Sequence, residues 1–274
     1  MSVSLLSISL SYQPLAVAGM DHHHQHKQPV HAEKKAAVTR LSVEEIINKN
    51  GKKLVRIKLA EITSNKPLTL NDLSEVHTQK IHLLIIDDSL KDYSHIHPEE
   101  TKKPGIYQFE WNPKRHNATY RMWADLLPLS SQTQEYVVTD LTSPPNNQPA
   151  TIDRKPSYKS TVNGYQFTLT FDKSALKAGN PAMGRIKITD IDGKPVSSLE
   201  PLMGAYAHIV GFNEDFKTIV HIHPMGKEPQ HKSDRGGPEL VFHLQPEKAG
   251  FIKLFAQVKI NGEEIYAPFG IAVQ

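Results

Sequence analysis

The sequence predicts an all-β protein built from two tandem, homologous immunoglobulin-like antiparallel β-sandwich domains. Three observations predict it. Short runs rich in Val, Ile, Phe and Tyr recur along the chain, among them "KLVRIKL", "YQFTLTF", "GRIKIT", "FIKLFAQVKI" and "IYAPFGIAV", as half-buried strands require. Turn signals separate them: Asn163-Gly164, Asp192-Gly193 and Asn261-Gly262, residue pairs that accept the positive φ angles of tight hairpin turns. The chain also repeats itself, and its 274 residues suffice for two units of roughly a hundred residues each.

The repeat rests on histidine. His82, His95 and His97 map onto His208, His221 and His223 at a constant offset of 126 residues. Between them "HLLIIDDSLKDYSHIHP" aligns with "HIVGFNEDFKTIVHIHP". Upstream, "RIKLAEITSNKPLTLNDL" resembles "RIKITDIDGKPVSSL", and downstream "TYRMWAD" resembles "FIKLFAQ". Small length changes fall between these blocks, where surface loops tolerate them. The expected organisation is repeat 1 over 38–141, a Pro- and Asn-rich linker over 142–156, and repeat 2 over 157–274.

Ahead of the repeats, residues 1–18 read as a signal peptide. An apolar, Ser-rich run leads to Ala16-Val17-Ala18, a small-x-small cleavage pattern. No Lys or Arg precedes that run, so the true start is expected upstream or the peptide is atypical. The run is too short and too polar for a membrane span. Residues 19–37 form a His-rich tail, expected to be disordered, with His22, His23, His24, His26 and His31. Its scarcity of apolar residues rules out a packed core, and its composition reads as metal binding. Within repeat 1, "SVEEIINKN" over 42–50 is the one stretch with a helical look. The acidic "DDSLKD" between His82 and His95 reads as a hairpin loop.

His95 and His97 are two residues apart, so on a strand they share a face. Whether His82 joins them depends on register. If His82 lies across from His95 or His97, the three imidazoles converge, whereas a one-residue slip turns it away. Opposed Cβ atoms are about 4.5–5.5 Å apart, which suits three imidazoles on one ion. His208, His221 and His223 follow the same rule. His243, in "LVFHLQP", falls on the next strand of repeat 2 and is a further candidate ligand. Met203 and Met225 flank the second set, and thioethers beside imidazoles suit copper better than magnesium or calcium. The bland alternative is that the histidines only pack, since duplication copies structural residues as faithfully as ligands. His77, His116 and His231 have no counterpart in the other repeat and are expected on the surface.

Composition removes other chemistry. The chain has no cysteine, which excludes thiolate nucleophiles, disulfides and Cys-type zinc or blue-copper ligands. Net charge is +3 with no basic stripe interleaved with aromatics, so nucleic acid is not an expected partner.

"GAYAHIVGF", "VHIHP" and "GPELVFHLQPEKAGFIKLFAQV" resemble segments of bacterial exported proteins with YtkA-like or FixH-like immunoglobulin-type domains. That resemblance covers most of 185–273 and, more weakly, 56–125. It implies a β-sandwich, a periplasmic place and an association with copper or heavy-metal handling. The first copy departs from it at "EVHTQKIHL", which lacks the Gly-Ala approach to the histidine.

The functional expectation is a non-enzymatic periplasmic or secreted protein that buffers or delivers a metal ion, copper foremost and zinc as the alternative. Its partner would be a membrane metal transporter or another periplasmic protein, with no membrane span in the mature chain. Two other classes compete: a structural or adhesion module without metal, and a duplicated cupin-type metalloenzyme in which His95, His97 and Glu100 approximate the ligand set. The second copy has Gly226 where that acid would stand.

Overall fold

The computed structural model describes residues 36–49, 51–142, 150–222 and 224–274. The signal-peptide reading, the tail histidines His22, His23, His24, His26 and His31, and His223 lie outside the described residues.

Repeat 1 comprises β1 (Thr39–Lys49), β2 (Lys52–Glu61), a 3-10 turn (Leu70–Asp72), β3 (Leu73–Ser74), β4 (Ile81–Asp87), β5 (Tyr93–Ile96), β6 (Glu99–Glu100), β7 (Ile106–Trp111), β8 (Tyr120–Pro128) and β9 (Glu135–Thr142). Repeat 2 comprises β10 (Lys159–Val162), β11 (Tyr165–Phe171), β12 (Ala182–Asp190), β13 (His208–Asn213), β14 (Ile219–Ile222), β15 (Pro224–Met225), β16 (Glu239–Leu244), β17 (Gly250–Ile260) and β18 (Glu263–Val273). In repeat 1 one sheet runs β1-β2-β7-β6, and the other runs β5-β4-β8 with β9 and β3 sharing the far edge of β8. Repeat 2 reproduces this as β11-β12-β16-β15 and β14-β13-β17-β18, with β10 added beside β11. This is the strand order of an immunoglobulin-like sandwich with one extra strand beside the C strand. Among the described residues no helix is long and apolar enough to cross a membrane.

The hairpins follow their turn residues. Asn163-Gly164 and Asn261-Gly262 both have positive φ at the two central positions and close β10–β11 and β17–β18 with two-residue loops. The helical reading of 42–50 fails. Residues 42–49 belong to β1, which pairs antiparallel with β2 and carries a bulge between Val43 and Glu45. The bulge shifts the inward phase by one residue. Leu41, Val43 and Ile46 therefore all reach the core, and their uneven spacing imitates a helical period.

Each sandwich has its own core, around Val55, Ile57, Tyr107 and Met122 in repeat 1 and around Phe167, Ile188, Phe242 and Phe269 in repeat 2. A third apolar cluster lies between the repeats. Leu84, Ile86, Leu90, Tyr93 and Trp123 from the first pack with Val210, Phe212 and Phe255 from the second, with Phe216 and Ile219 at its margin. Leu84, Ile86, Leu90 and Tyr93 are the 126-residue counterparts of Val210, Phe212, Phe216 and Ile219. Trp123 on β8 corresponds to Phe255 on β17, since Leu84 pairs with Trp123 and Val210 with Phe255. Equivalent faces of the two copies thus meet across a local pseudo-twofold, the intramolecular analogue of an isologous dimer contact.

Strand β4 is buried on both sides for this reason. Ile81, Leu83 and Ile85 enter the core of repeat 1, while Leu84 and Ile86 face the other repeat. Alternation puts His82 on the inter-repeat face as well.

Candidate metal centre

The register of β4 and β5 pairs Leu84 with His95 and Leu83 with Ile96. Continued by one residue, it sets His82 across from His97, so the three share a face. In repeat 2, Val210 pairs with His221 and Ile209 with Ile222, the same register moved by the repeat offset.

The three imidazoles of repeat 1 meet. His82 Nδ1 lies 3.0 Å from His95 Nε2 and 3.1 Å from His97 Nε2, and one nitrogen from each ring falls within 4.8 Å of the others. Three nitrogens held by one ion at 2.0–2.1 Å in tetrahedral geometry would be separated by about 3.3 Å, so the two spacings about His82 need only a few tenths of an ångström of opening. His82 is fully buried, His95 is buried and His97 is half-buried.

The outer nitrogens fix the tautomers. His82 Nε2 lies 2.8 Å from the Val76 carbonyl, which only accepts, so Nε2 carries the proton and donates it. His95 Nδ1 lies 2.8 Å from Gln257 Oε1. The Gln257 amide is oriented by its Nε2, which donates to Glu264 Oε2 at 2.7 Å and to the Tyr266 hydroxyl at 3.0 Å. His95 Nδ1 therefore donates too. The inner nitrogens of His82 and His95 face each other across 3.0 Å, and His97 Nε2 stands 3.1 Å from the same His82 nitrogen. A shared proton, or a metal ion, can join these converging nitrogens. Burial, with His82 adding to it, lowers the pKa of His97 to about 4. Its ring is thus neutral, as a ligand must be, through the physiological range.

Two further histidines close the site. His208 lies on β13, fully buried, with its ring 6.1 Å from His82 and 5.6 Å from His95. It therefore joins the first copy's cluster across the pseudo-twofold. Its Nε2 lies 3.4 Å from the Met203 carbonyl, as His82 turns to Val76. His77, expected on the surface, is half-buried, 6.1 Å from His82 and 5.6 Å from His208. It occupies a turn in which His77 and Thr78 both have positive φ, and its counterpart has Met203 and Gly204 in the same conformation. The two turns touch: a Cβ on Gly204 would stand 3.5 Å from Thr78 Cγ2. "EVHTQKIHL" thus makes the same approach to its histidine as the Gly-containing segment of repeat 2, without the glycine. His116 and His231 are exposed.

Other sequence candidates are placed elsewhere. His243 is on β16 opposite Met183, in the sheet that does not carry His208. Leu240, Phe242 and Leu244 take that strand's inward phase, leaving His243 half-buried on its outer face. Backbone residue His221 is on β14, and its side chain lies outside the described residues. Met225 is 57% exposed, and Met203 offers His208 its carbonyl rather than its sulfur. Glu100 is exposed on β6, in the opposite sheet, where it accepts from the Leu70 amide, so the cupin-like set of His95, His97 and Glu100 is not assembled. Gln257 was not legible as a site residue, because its role depends on how the repeats pack.

The family model of a domain of unknown function, DUF8832, matches the chain twice, over residues 33–140 and 160–274, and nothing in that match links it to YtkA-like or FixH-like domains. No curated protein matches the chain. Among solved structures it is similar to FdeC, an Escherichia coli adhesin, at 14% identity and a TM-score of 0.26, over 86% of this chain and 64% of that one. It is also similar to MtrC from Shewanella baltica OS185, at 8% identity and a TM-score of 0.24, over 87% and 69% of the two chains. A β-glycosidase from Bacteroides vulgatus follows at 12% identity and a TM-score of 0.23, over 87% and 25%. The chain spans less than two thirds of the adhesin structure, and at these scores nothing about its function follows from the likenesses.

Proposed function

The chain belongs to the DUF8832 family in both of its repeats, and from that premise we propose that it is a non-enzymatic metal-binding protein whose His82, His95 and His97 hold a transition-metal ion, copper foremost and zinc as the alternative. The observation that carries this reading is the convergence of the three inner imidazole nitrogens, with the outer nitrogens of His82 and His95 each hydrogen-bonded to an acceptor. Neutral imidazoles with pinned outer N–H groups are the usual support of a nitrogen-ligated ion. An all-imidazole set without carboxylate suits copper or zinc rather than magnesium or calcium. When bound, the ion would be held close to the surface through the half-buried His97, which suits buffering or handing on. A periplasmic or extracellular place, and a transporter or second periplasmic protein as recipient, belong to the same proposal.

The test uses the Ala36–Gln274 fragment, a compact unit free of the tail histidines. It should bind Cu(II) or Zn(II) at one equivalent or more with submicromolar affinity. An ion at a hundred times its Kd stabilises the folded state by about 2.7 kcal/mol, which raises Tm by about 5–10 °C for a chain of this size. His82→Leu should abolish that rise. An unchanged melt with Cu(II), Cu(I) and Zn(II) would leave the competing reading, a β-sandwich module whose buried histidines only pack.

A further inference from the structure

We infer that the metal centre of repeat 1 is completed by repeat 2: Gln257 is a positioning residue that holds His95 in the ligating tautomer, so ion affinity depends on the pairing of the two repeats. This rests on the metal reading above and goes further by making the site composite.

Gln257 is 2% exposed and stands mid-strand on β17, across from His208. A buried primary amide needs partners for its carbonyl oxygen and its two N–H donors, and this one finds them. Its Oε1 accepts from His95 Nδ1 at 2.8 Å, and its Nε2 donates to Glu264 and Tyr266. The Glu264 carboxylate can only accept, so it forbids the amide flip that would turn a donor toward His95. A flipped amide would draw a lone pair onto His95 Nδ1 and move the proton to Nε2, where it would block the ion. Tyr266 is held protonated by burial and by Glu264, which together raise its pKa, so its hydroxyl can accept from the amide and still donate to Glu264 at 3.3 Å. The arrangement is a relay from the edge strand β18 to an imidazole of the other repeat.

The equivalent position of repeat 1 carries a different polar residue. The 82–125 pairing on β4 and β8 matches the 208–257 pairing on β13 and β17, so the counterpart of Gln257 is Asp125. Asp125 is fully buried and accepts from Gln134 Nε2 at 2.7 Å. Duplication thus kept a polar residue at this position in both copies, while the two diverged in charge.

The experiment measures Cu(II) affinity by competition titration and the Cu(II) EPR spectrum, on the Ala36–Gln274 fragment, for Gln257→Leu, Gln257→Asn and Gln257→Glu. Loss of an outer hydrogen bond to a ligand histidine weakens metal binding about 10–100-fold. That loss is expected for Gln257→Leu, with a changed EPR signal. Gln257→Asn, which withdraws the acceptor by one methylene, should weaken binding too and carries the test if the Leu variant does not fold. Gln257→Glu, made together with Glu264→Gln so that two carboxylates do not meet, keeps an acceptor at His95 and should bind at least tenfold more tightly than Gln257→Asn, with the parent EPR signal. Equal affinity and spectra in all three would overturn the inference while leaving the metal reading intact. Equal weakening in all three would reduce Gln257 to a packing role and overturn it likewise. A parent fragment that binds no Cu(II) would overturn both.

Discussion

Acidification of the metal-free protein tests the burial of His97 directly. An ordinary imidazole has a pKa near 6.5, whereas burial lowers that of His97 to about 4. Between those values the unfolded chain binds a proton that the folded chain refuses, so stability falls as pH drops through this window. A shift of one pKa unit is worth about 1.4 kcal/mol. Integrated from pH 7.5 downward, His97 alone removes about 2 kcal/mol by pH 5 and about 3 kcal/mol by pH 4, less whatever solvent reaching the half-buried ring returns. The assay is urea unfolding with chelator present at pH 7.5, 6 and 5, comparing the parent with His97→Gln, which cannot titrate. The parent should lose about 2 kcal/mol more than the variant by pH 5. Parallel pH profiles would refute the claim that the ring is held neutral by its surroundings. The same shift limits proton competition for the ion: from pH 6.5 to 5, log Kd should rise with a slope of two or less, against three for three ordinary exposed imidazoles.

Two other substitutions probe the frame that positions the site. Phe212→Ala empties the inter-repeat cluster, where the ring lies 5.2 Å from Tyr93 and 5.7 Å from Trp123; thermal or urea melts should show a loss of about 3–5 kcal/mol, and Cu(II) affinity should fall with it because His95 and Gln257 lie on opposite sides of that contact. Gly184→Ala sets a Cβ 2.2 Å from the Phe242 ring, inside the core of repeat 2 and away from the histidines, so it should destabilise by about 1–3 kcal/mol through overpacking while Cu(II) affinity in the folded fraction stays at the parent value.

The duplicated histidine spacing carried much of the site in advance. His82, His95 and His97 could be assembled on paper because strand periodicity leaves only two choices of face, and the register selects the one where all three meet. What spacing could not carry was anything that depends on one repeat touching the other. His77 and Gln257 have no motif of their own; His77 enters through the turn beside His82 and meets His208 across the seam, and Gln257 enters because the repeats pack face to face. One signal was present in "IHLLIID", a strand without polar alternation except for its histidine and its final aspartate. An antiparallel strand exposed on one side would alternate apolar and polar residues, so that run announces a second covered face. The β1 bulge is the opposite case, where one extra residue disguises a strand as a helix.

The packing of the repeats also explains why the histidines can be buried at all. An isolated repeat 1 would expose Leu84, Ile86, Tyr93 and Trp123 together with His82 and His95 on one sheet face, a contiguous apolar patch of the kind that monomers cover. Repeat 2 covers it with the equivalent face of its own sheet. The polar cost of burying His82, His95 and His208 at that seam is met by acceptors drawn from both copies: the Val76 and Met203 carbonyls from the paired turns, and Gln257 across the interface. A symmetric seam would satisfy both histidine sets alike. This one is asymmetric, because the position that holds Gln257 in repeat 2 holds Asp125 in repeat 1, so the two copies bring different polar groups to the same seam.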